Sequence, residues 1–202
     1  MPFSNAELRA FTGQTLPDLT PDPTRLLIVG INPGLLSVAV QAHFARRGNR
    51  FYPALYRAGI IDHVIDASAG FDPDDLAQLE DRGIGITCIV EGATGRAAEL
   101  TRDELRTAGA AFRGRIAGIR PRVVAFLGIS AYRVAFGAPH AVVGRQPQDW
   151  DGAEVWVVPN PSGLNAHASL ADLATAYREV AVRAGIEPYP PTSEAFLLDE
   201  GP

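Results

Sequence analysis

The sequence contains no lysine, because all 18 of its basic residues are arginine. That absence excludes any mechanism that needs a lysine Schiff base or a lysine nucleophile. A single cysteine, Cys88, leaves no partner for an internal disulfide and no ligand set for a cysteine-ligated iron–sulfur cluster. No apolar run approaches the roughly 20 residues of a membrane helix, and the first residues lack the blocks of a secretory signal. We therefore expect a cytoplasmic protein that makes no membrane contact.

The chain also has no excess of positively charged residues. The formal net charge is −5 over 202 residues, which lowers the expectation of nucleic-acid binding from composition alone. No metal-ligand spacing, Walker loop or dinucleotide fingerprint occurs, so we expect no metal and no cofactor. The length fits one domain with a sizeable core, and we expect a monomer.

Apolar runs that alternate with helical patterns predict the fold. Strands are expected at residues 25–30, 122–127 and 154–158, whereas residues 84–90 fit either a second strand or a loop crossing the sheet. Helices are expected at residues 50–57, 72–82, 101–119, 131–136 and 170–184, and residues 38–46 fit a loop or an irregular helix. Such alternation produces βαβ units. We predict an α/β fold, a three-layer α/β/α sandwich with a mainly parallel central sheet.

The chain divides into three parts by composition. Residues 1–24 are expected to form an N-terminal extension with a short helix and an entry loop. Residues 25–186 form the single domain, and residues 187–202 are a proline-rich acidic tail.

Two strands are expected to end in similar turns, Gly30-Ile31-Asn32-Pro33-Gly34 and Pro159-Asn160-Pro161-Ser162-Gly163. Each turn presents an asparagine beside a proline, and a parallel sheet would bring both asparagines to one edge. Either motif alone is best explained as an ordinary turn. When two such motifs occur in one α/β domain, a ligand site becomes about as good an interpretation as a pair of ordinary turns.

These motifs, together with Phe44, the run Asn49-Arg50-Phe51 and Leu164 after the second turn, resemble the mismatch-specific uracil-DNA glycosylases. Those enzymes are bacterial relatives of the thymine-DNA glycosylases within the uracil-DNA glycosylase superfamily. The resemblance extends from about Arg25 to Ala184. It implies a single α/β/α domain that flips a damaged pyrimidine out of duplex DNA and hydrolyses its glycosidic bond, a step of base excision repair.

The resemblance also implies a role for each residue of the catalytic site. Asn32 would hold the attacking water, and Asn160 would donate a hydrogen bond to the departing pyrimidine. Phe44 would stack on the flipped base. The other residues expected to line the base pocket are Ile31, Ser37 and Asn49. An amide orients water but is not an effective base, and Glu91 is either an exposed loop residue or, as the alternative, a carboxylate that polarises the water.

A second group of residues is expected to contact DNA. Leu164 matches the loop that fills the space left by the flipped base, although it could equally be a buried loop anchor. Phosphate contacts are expected from Ser162 and from backbone amides beside it, including that of Gly163. His167 could replace an arginine that some relatives use to probe the opposite strand. Arg46, Arg47 and Arg50 form the densest positive cluster, which is either a solvated face or the phosphate footprint. His43, beside the stacking ring, is either structural or in contact with the ribose phosphate.

The leading functional hypothesis is a monofunctional DNA glycosylase acting on uracil, and on other damaged pyrimidines, in double-stranded DNA. The absence of lysine fits this hypothesis, because strand cleavage by β-elimination normally needs an amine. One alternative is a non-catalytic binder of damaged or abasic DNA on the same scaffold. Another is a hydrolase of free nucleosides, which would use the same bond chemistry without the DNA-filling loop.

Overall fold

The computed structural model describes residues 3–163 and 168–190. Along the chain its elements are α1 Asn5–Arg9, β1 Leu26–Gly30, α2 Leu35–Val40, α3 Phe51–Arg57, α4 Pro73–Asp81, β2 Ile84–Cys88, α5 Arg102–Ile119, β3 Val123–Leu127, α6 Ile129–Ala135, β4 Gly144–Arg145, β5 Glu154–Val158 and α7 Leu170–Arg183. A short 3₁₀ turn at Ala97–Glu99 lies between β2 and α5. Among the described residues, no helix has the length and apolar character needed to cross a membrane.

The strands form one five-stranded sheet in the order β2-β1-β3-β5-β4. Every neighbouring pair is parallel except β4 with β5, which is antiparallel. The segment after residue 83, for which the sequence left two interpretations, is a fully buried strand, β2. The prediction of a mainly parallel central sheet is confirmed.

Alternate residues of the strands face two separate apolar layers. Ile28 and Ile86 pack on one side, where the core includes residues of α3, α4 and α7. Val29 and Phe126 pack on the other side against residues of α5 and α6. Successive side chains of a strand point to opposite faces, so strands that are apolar throughout bury both faces of the sheet. The three-layer α/β/α sandwich is confirmed.

Capping boxes begin three of the helices at the positions that the sequence predicts. Thr101 and Ser169 each accept a backbone N–H of the first turn. At all three starts, including that of Asp72, an acidic side chain three residues later accepts the N–H of the capping residue. This reciprocal arrangement satisfies donors that a helix start leaves unpaired.

Two elements differ from the sequence expectation. Helix α2 begins at Leu35, directly after the first Asn-Pro turn, and ends at Val40; the next residue, Gln41, has a left-handed backbone with φ 55°. The sequence predicts a loop or an irregular helix only from residue 38 to residue 46, and the β-branched valines of α2 weaken its helical signal. Strand β4 is only two residues long, too short to leave a periodic pattern. It was not predicted.

The proposed boundaries at residues 24 and 186 stay predictions. The described parts of both flanking segments hydrogen-bond to the core. Leu19 exchanges two backbone hydrogen bonds with Ile86 of β2, of 2.9 and 2.8 Å, and Tyr189 N–H donates to the Gly59 carbonyl at 2.7 Å.

Helices α5 and α6 approach each other closely at Gly109. A Cβ added there would lie 2.2 Å from the Ala135 carbonyl oxygen, a backbone atom that cannot rotate away. Gly109→Ala is therefore expected to lower the free energy of unfolding by about 2–3 kcal/mol despite the better helix propensity of alanine. Urea denaturation would measure the change.

Gly114 on the same helix is the matched control for this substitution. A Cβ added at Gly114 would meet nothing within 4 Å, so Gly114→Ala should raise the free energy of unfolding by about 0.5–1 kcal/mol. Equal effects at the two positions would contradict the steric argument.

Candidate active site

A cavity of about 440 Å³ opens at the carboxyl edge of the parallel strands. Each of those four strands contributes a lining residue at or just beyond its end, namely Ile31, Cys88, Leu127 and Asn160. Asn32 lines the same cavity. The structure thus brings the two predicted asparagines to one pocket, at the edge where α/β sheets bind ligands.

The Asn32 amide is held by its nitrogen. The two protons of Nδ2 are shared among three acceptors, Thr94 Oγ1 at 2.8 Å, the Pro33 carbonyl at 3.1 Å and the Gly92 carbonyl at 3.3 Å. Because these acceptors take up the N–H groups, the orientation of the amide is fixed and its Oδ1 is left to accept a hydrogen bond. An oxygen acceptor at a half-buried pocket wall is suited to orienting a water molecule.

Thr94 contributes, with the two carbonyls, to the orientation of the Asn32 amide, and its role was not predicted from the sequence. The Thr94 hydroxyl donates its single proton to the Arg96 carbonyl at 2.8 Å. Since a hydroxyl has only one proton, Thr94 can act only as an acceptor toward Asn32. The available signal was a hydroxyl residue in the glycine-containing loop after β2.

Phe44 lies at the pocket with one face covered. Its ring stacks on Phe51, with centroids 3.9 Å apart and planes 32° apart, and it also lines the cavity. Phe44 adopts φ 55°, a left-handed conformation that costs a non-glycine residue of order 1–3 kcal/mol. The uncovered side of a ring supported in this way can stack on a planar ligand.

Gly30 allows the Cys88 thiol to approach the end of β1 closely. A Cβ on Gly30 would lie 3.1 Å from Cys88 Sγ, a tight contact, and 3.6 Å from Phe44 Cζ, an ordinary one. A side chain at this position would therefore have to displace the thiol that lines the pocket.

The other three predicted pocket residues also line the cavity. Ser37 is buried, and its hydroxyl accepts the Ala45 N–H at 3.2 Å. The Asn49 Oδ1 accepts the Phe51 N–H at 3.0 Å, so that end of its amide supports the start of α3. Ile31 is half-buried, and its carbonyl accepts the Val90 N–H at 2.9 Å.

Asn160 is oriented from the opposite end of its amide. Its Oδ1 accepts the Ser162 N–H at 2.9 Å, while Nδ2 is 3.5 Å from the Leu127 carbonyl, at the limit of a hydrogen bond. In these contacts the protein holds the amide nitrogen of Asn32 and the amide oxygen of Asn160.

Glu91 does not reach the pocket lining. Its carboxylate forms an ion pair with Arg115 of α5, in which Glu91 Oε1 and Arg115 Nη1 are 2.7 Å apart. The Glu91 side chain is 66% exposed. This position agrees with the interpretation of Glu91 as an exposed loop residue. A carboxylate that polarises the water would have to line the cavity, and Glu91 does not.

The arginines of the positive cluster have different surroundings. Arg46 and Arg47 are exposed, and Arg46 lines the rim of the cavity. Arg50 is half-buried and donates to the Ala168 carbonyl at 2.6 Å and to the Ser162 carbonyl at 3.1 Å. Arg50 thus joins Ser162 to Ala168 through hydrogen bonds to their backbone carbonyls.

The predicted DNA contacts are described only in part. Ser162 lines the cavity and Gly163 is exposed beside it. Leu164 and His167 lie outside the described residues.

Two side chains of the pocket wall could titrate, and burial keeps both uncharged near neutral pH. Burial lowers the pKa of His43, whose Nε2–H donates to the Pro17 carbonyl at 3.0 Å. That contact occupies the proton on Nε2. Burial also raises the pKa of the Cys88 thiol to about 12.

Any hydrolysis catalysed at this pocket is expected to have a rate that is independent of pH from about pH 7 to about pH 9. Asn32 does not ionise, His43 is already neutral above its lowered pKa, and Cys88 stays a thiol. Single-turnover rates with enzyme in excess would test this, with circular dichroism at each pH as the control for folding. A tenfold rise for each unit of pH would reveal an ionising base and contradict the expectation.

Across residues 3–163 and 168–190, no three His, Cys, Asp or Glu side chains are grouped so that they could hold a metal ion.

A profile of the Uracil DNA glycosylase superfamily matches residues 17–182. The match spans most of the chain, and the protein belongs to this superfamily. Among solved structures, the solution NMR structure of a candidate uracil DNA glycosylase from Methanosarcina acetivorans superposes with a TM-score of 0.57. The two sequences are 19% identical, and the alignment covers 83% of this chain and 98% of the other. At that identity the similarity establishes the shared fold, while membership of the superfamily supports a glycosylase role.

Proposed function

We propose that the protein is a monofunctional DNA glycosylase that hydrolyses the N-glycosidic bond of uracil in duplex DNA and leaves an abasic site. The observation that carries this proposal is the Asn32 amide, whose nitrogen is held by Thr94, Pro33 and Gly92. Its oxygen is the acceptor that a water-holding residue must present. The motifs around Asn32 and Asn160 support the mismatch-specific branch of the superfamily within this proposal.

In the proposed reaction the oxygen of a water bonds to C1′ of the deoxyribose while the bond from C1′ to N1 of the base breaks. The electron pair of that bond stays on the pyrimidine, and the proton lost by the water passes to solvent. Asn32 Oδ1 accepts a hydrogen bond from the water and directs its lone pair toward C1′. An amide adds positioning but little basicity, so the reaction depends on a good leaving group.

Negative charge that develops on the departing base calls for a donor. We infer that Asn160 Nδ2 supplies one, since Asn160 lines the pocket and the Ser162 N–H, bound to Oδ1, orients its amide. Donors that are already oriented stabilise developing charge without reorganisation. Phe44, supported from behind by Phe51, would stack on the flipped base.

The rim of the pocket would bind the DNA backbone. Arg46 provides a charge there, and Ser162 and the backbone beside Gly163 provide uncharged hydrogen-bonding groups. Phosphate contacts of both kinds fix the register of a protein on DNA without reading sequence. Local positive charge at the rim is compatible with a negative total charge.

A panel of labelled duplexes tests the proposal. Duplexes with G·U, A·U and G·T pairs and free deoxyuridine would be incubated with the folded protein and analysed with and without alkali. Base release from the uracil duplexes with strand breaks only after alkali is the expected result. Release from free deoxyuridine alone would indicate a nucleoside hydrolase. Binding without release would indicate a non-catalytic binder, and either result would overturn the proposal.

A further inference from the structure

Residues 13–19, here called the N-terminal strap, cross the free edge of the sheet beside β2. Leu19 and Ile86 exchange their backbone hydrogen bonds there. Further on, Gly13 N–H donates to the Ala93 carbonyl at 2.8 Å, and Ala93 N–H donates to the Gln14 carbonyl at 2.8 Å. The strap thus covers the edge strand and continues along the loop that follows it.

The position of Ala93 makes this pairing relevant to the pocket. Ala93 stands between Gly92 and Thr94, the two residues of this loop that accept hydrogen bonds from Asn32 Nδ2. Both backbone groups of Ala93 are bound to the strap. The strap therefore fixes the short stretch of chain that in turn fixes the Asn32 amide.

An apolar contact joins the strap to the other side of the same turn. Leu16 is buried in a small cluster with Ala93 and with Val38 of α2. Helix α2 begins just after the Asn32 turn. Leu16 thus packs against both the loop that contains Ala93 and helix α2, the two segments that adjoin Asn32.

Asp18 anchors the strap to β2. Its Oδ1 accepts the Thr87 hydroxyl at 2.6 Å, and its Oδ2 is 3.9 Å from a guanidinium nitrogen of Arg115. Arg115 also donates to the Cys88 carbonyl at the end of β2. Next to Asp18, the Pro17 carbonyl accepts the proton of His43, the neighbour of Phe44.

We propose that the N-terminal strap is a positioning element of the active site, anchored by Asp18 and acting through Ala93 on the orientation of Asn32. This inference rests on the proposed function for its rate effects. Its structural part, the ordering of the Asn32 amide, is independent of that function. Small displacements of a positioning group cost large factors in rate, so a segment that does not line the pocket can control the rate of the reaction.

Asp18→Ala is the central test. It is expected to lower the single-turnover rate of uracil release by about 10-fold, while the Kd for an abasic duplex stays within about twofold of the parent protein. Asp18→Asn keeps an oxygen that can accept from Thr87 and should restore most of the rate. Asp103→Ala, at the exposed start of α5, is the control for loss of one negative charge and should leave the rate unchanged.

Combination with Asn32→Ala separates positioning from general destabilisation. If the strap acts through Asn32, Asp18→Ala should lower the residual rate of the Asn32→Ala protein no further. A full 10-fold loss in that background would show that the strap acts elsewhere and would overturn the proposal.

An NMR measurement keeps the test separate from the proposed function. In a ¹⁵N-labelled protein, the Asn32 side-chain resonance is assigned by its loss in Asn32→Ala. Water exchange of its Nδ2 protons and of the Ala93 backbone N–H is expected to be at least about 5-fold faster in Asp18→Ala than in Asp103→Ala. Unchanged exchange at both groups would overturn the proposal even in an active enzyme, whereas a protein without glycosylase activity would refute only the proposed function.

Discussion

Replacing Asn32 with alanine is expected to lower the single-turnover rate of uracil release by about 10²–10³-fold. The substitution removes Oδ1, the acceptor that the contacts of Nδ2 leave for the water. Binding of an abasic duplex should change little, because the rim residues and Phe44 are retained. Rates with enzyme in excess and fluorescence anisotropy with an abasic duplex would measure the two quantities.

The control for this substitution is Asn5→Ala, which removes an exposed amide at the start of α1. It should leave both rate and affinity unchanged. If Asn32→Ala kept a rate within about fivefold of the parent, another group would have to hold the water, and the role of Asn32 would be lost.

Replacing Asn160 with alanine should lower the same rate by about 10²-fold, the usual loss when one oriented donor to a developing negative charge is removed. Because Asn160 also accepts the Ser162 N–H, some weakening of DNA binding is expected as well. Saturating enzyme in a single-turnover assay separates the two effects.

The leaving group offers a sharper check of the Asn160 role. A pyrimidine that departs more readily, such as 5-fluorouracil, develops charge that needs less stabilisation. The loss caused by Asn160→Ala should therefore be smaller with 5-fluorouracil than with uracil, whereas the loss caused by Asn32→Ala should be similar for both. If Asn160→Ala lowered the rate by the same factor with both bases, a contact between Asn160 and the departing base would be contradicted.

The parts of the fold and pocket that the sequence predicted depend on side-chain type. Buried strands are apolar runs, and helix starts are marked by Asp72, Thr101 and Ser169. The turns of Asn32 and Asn160 carry glycine and proline beside a polar residue, and parallel strands bring such turns to one edge. The convergence of both asparagines on one cavity follows from those local signals.

The parts that were missed depend on backbone atoms or on contacts distant in sequence. The strap binds Ala93 through main-chain groups, which any residue except proline could supply. Arg50 was grouped with its neighbours by charge, but its guanidinium is used on the carbonyls of Ser162 and Ala168, more than 110 residues away. The pairing of Glu91 with Arg115 of α5 is equally invisible in the order of residues.

The prolines that follow the two pocket asparagines have a consequence for the chemical lifetime of the enzyme. Spontaneous deamidation of asparagine proceeds when the backbone nitrogen of the next residue attacks the side-chain amide and closes a succinimide ring. Pro33 and Pro161 carry no backbone N–H, so this route is closed at Asn32 and at Asn160. In the proposed mechanism, deamidation of Asn160 would replace a hydrogen-bond donor with a carboxylate that repels the anionic leaving group. The prolines that shape the two turns therefore also protect both asparagines from deamidation.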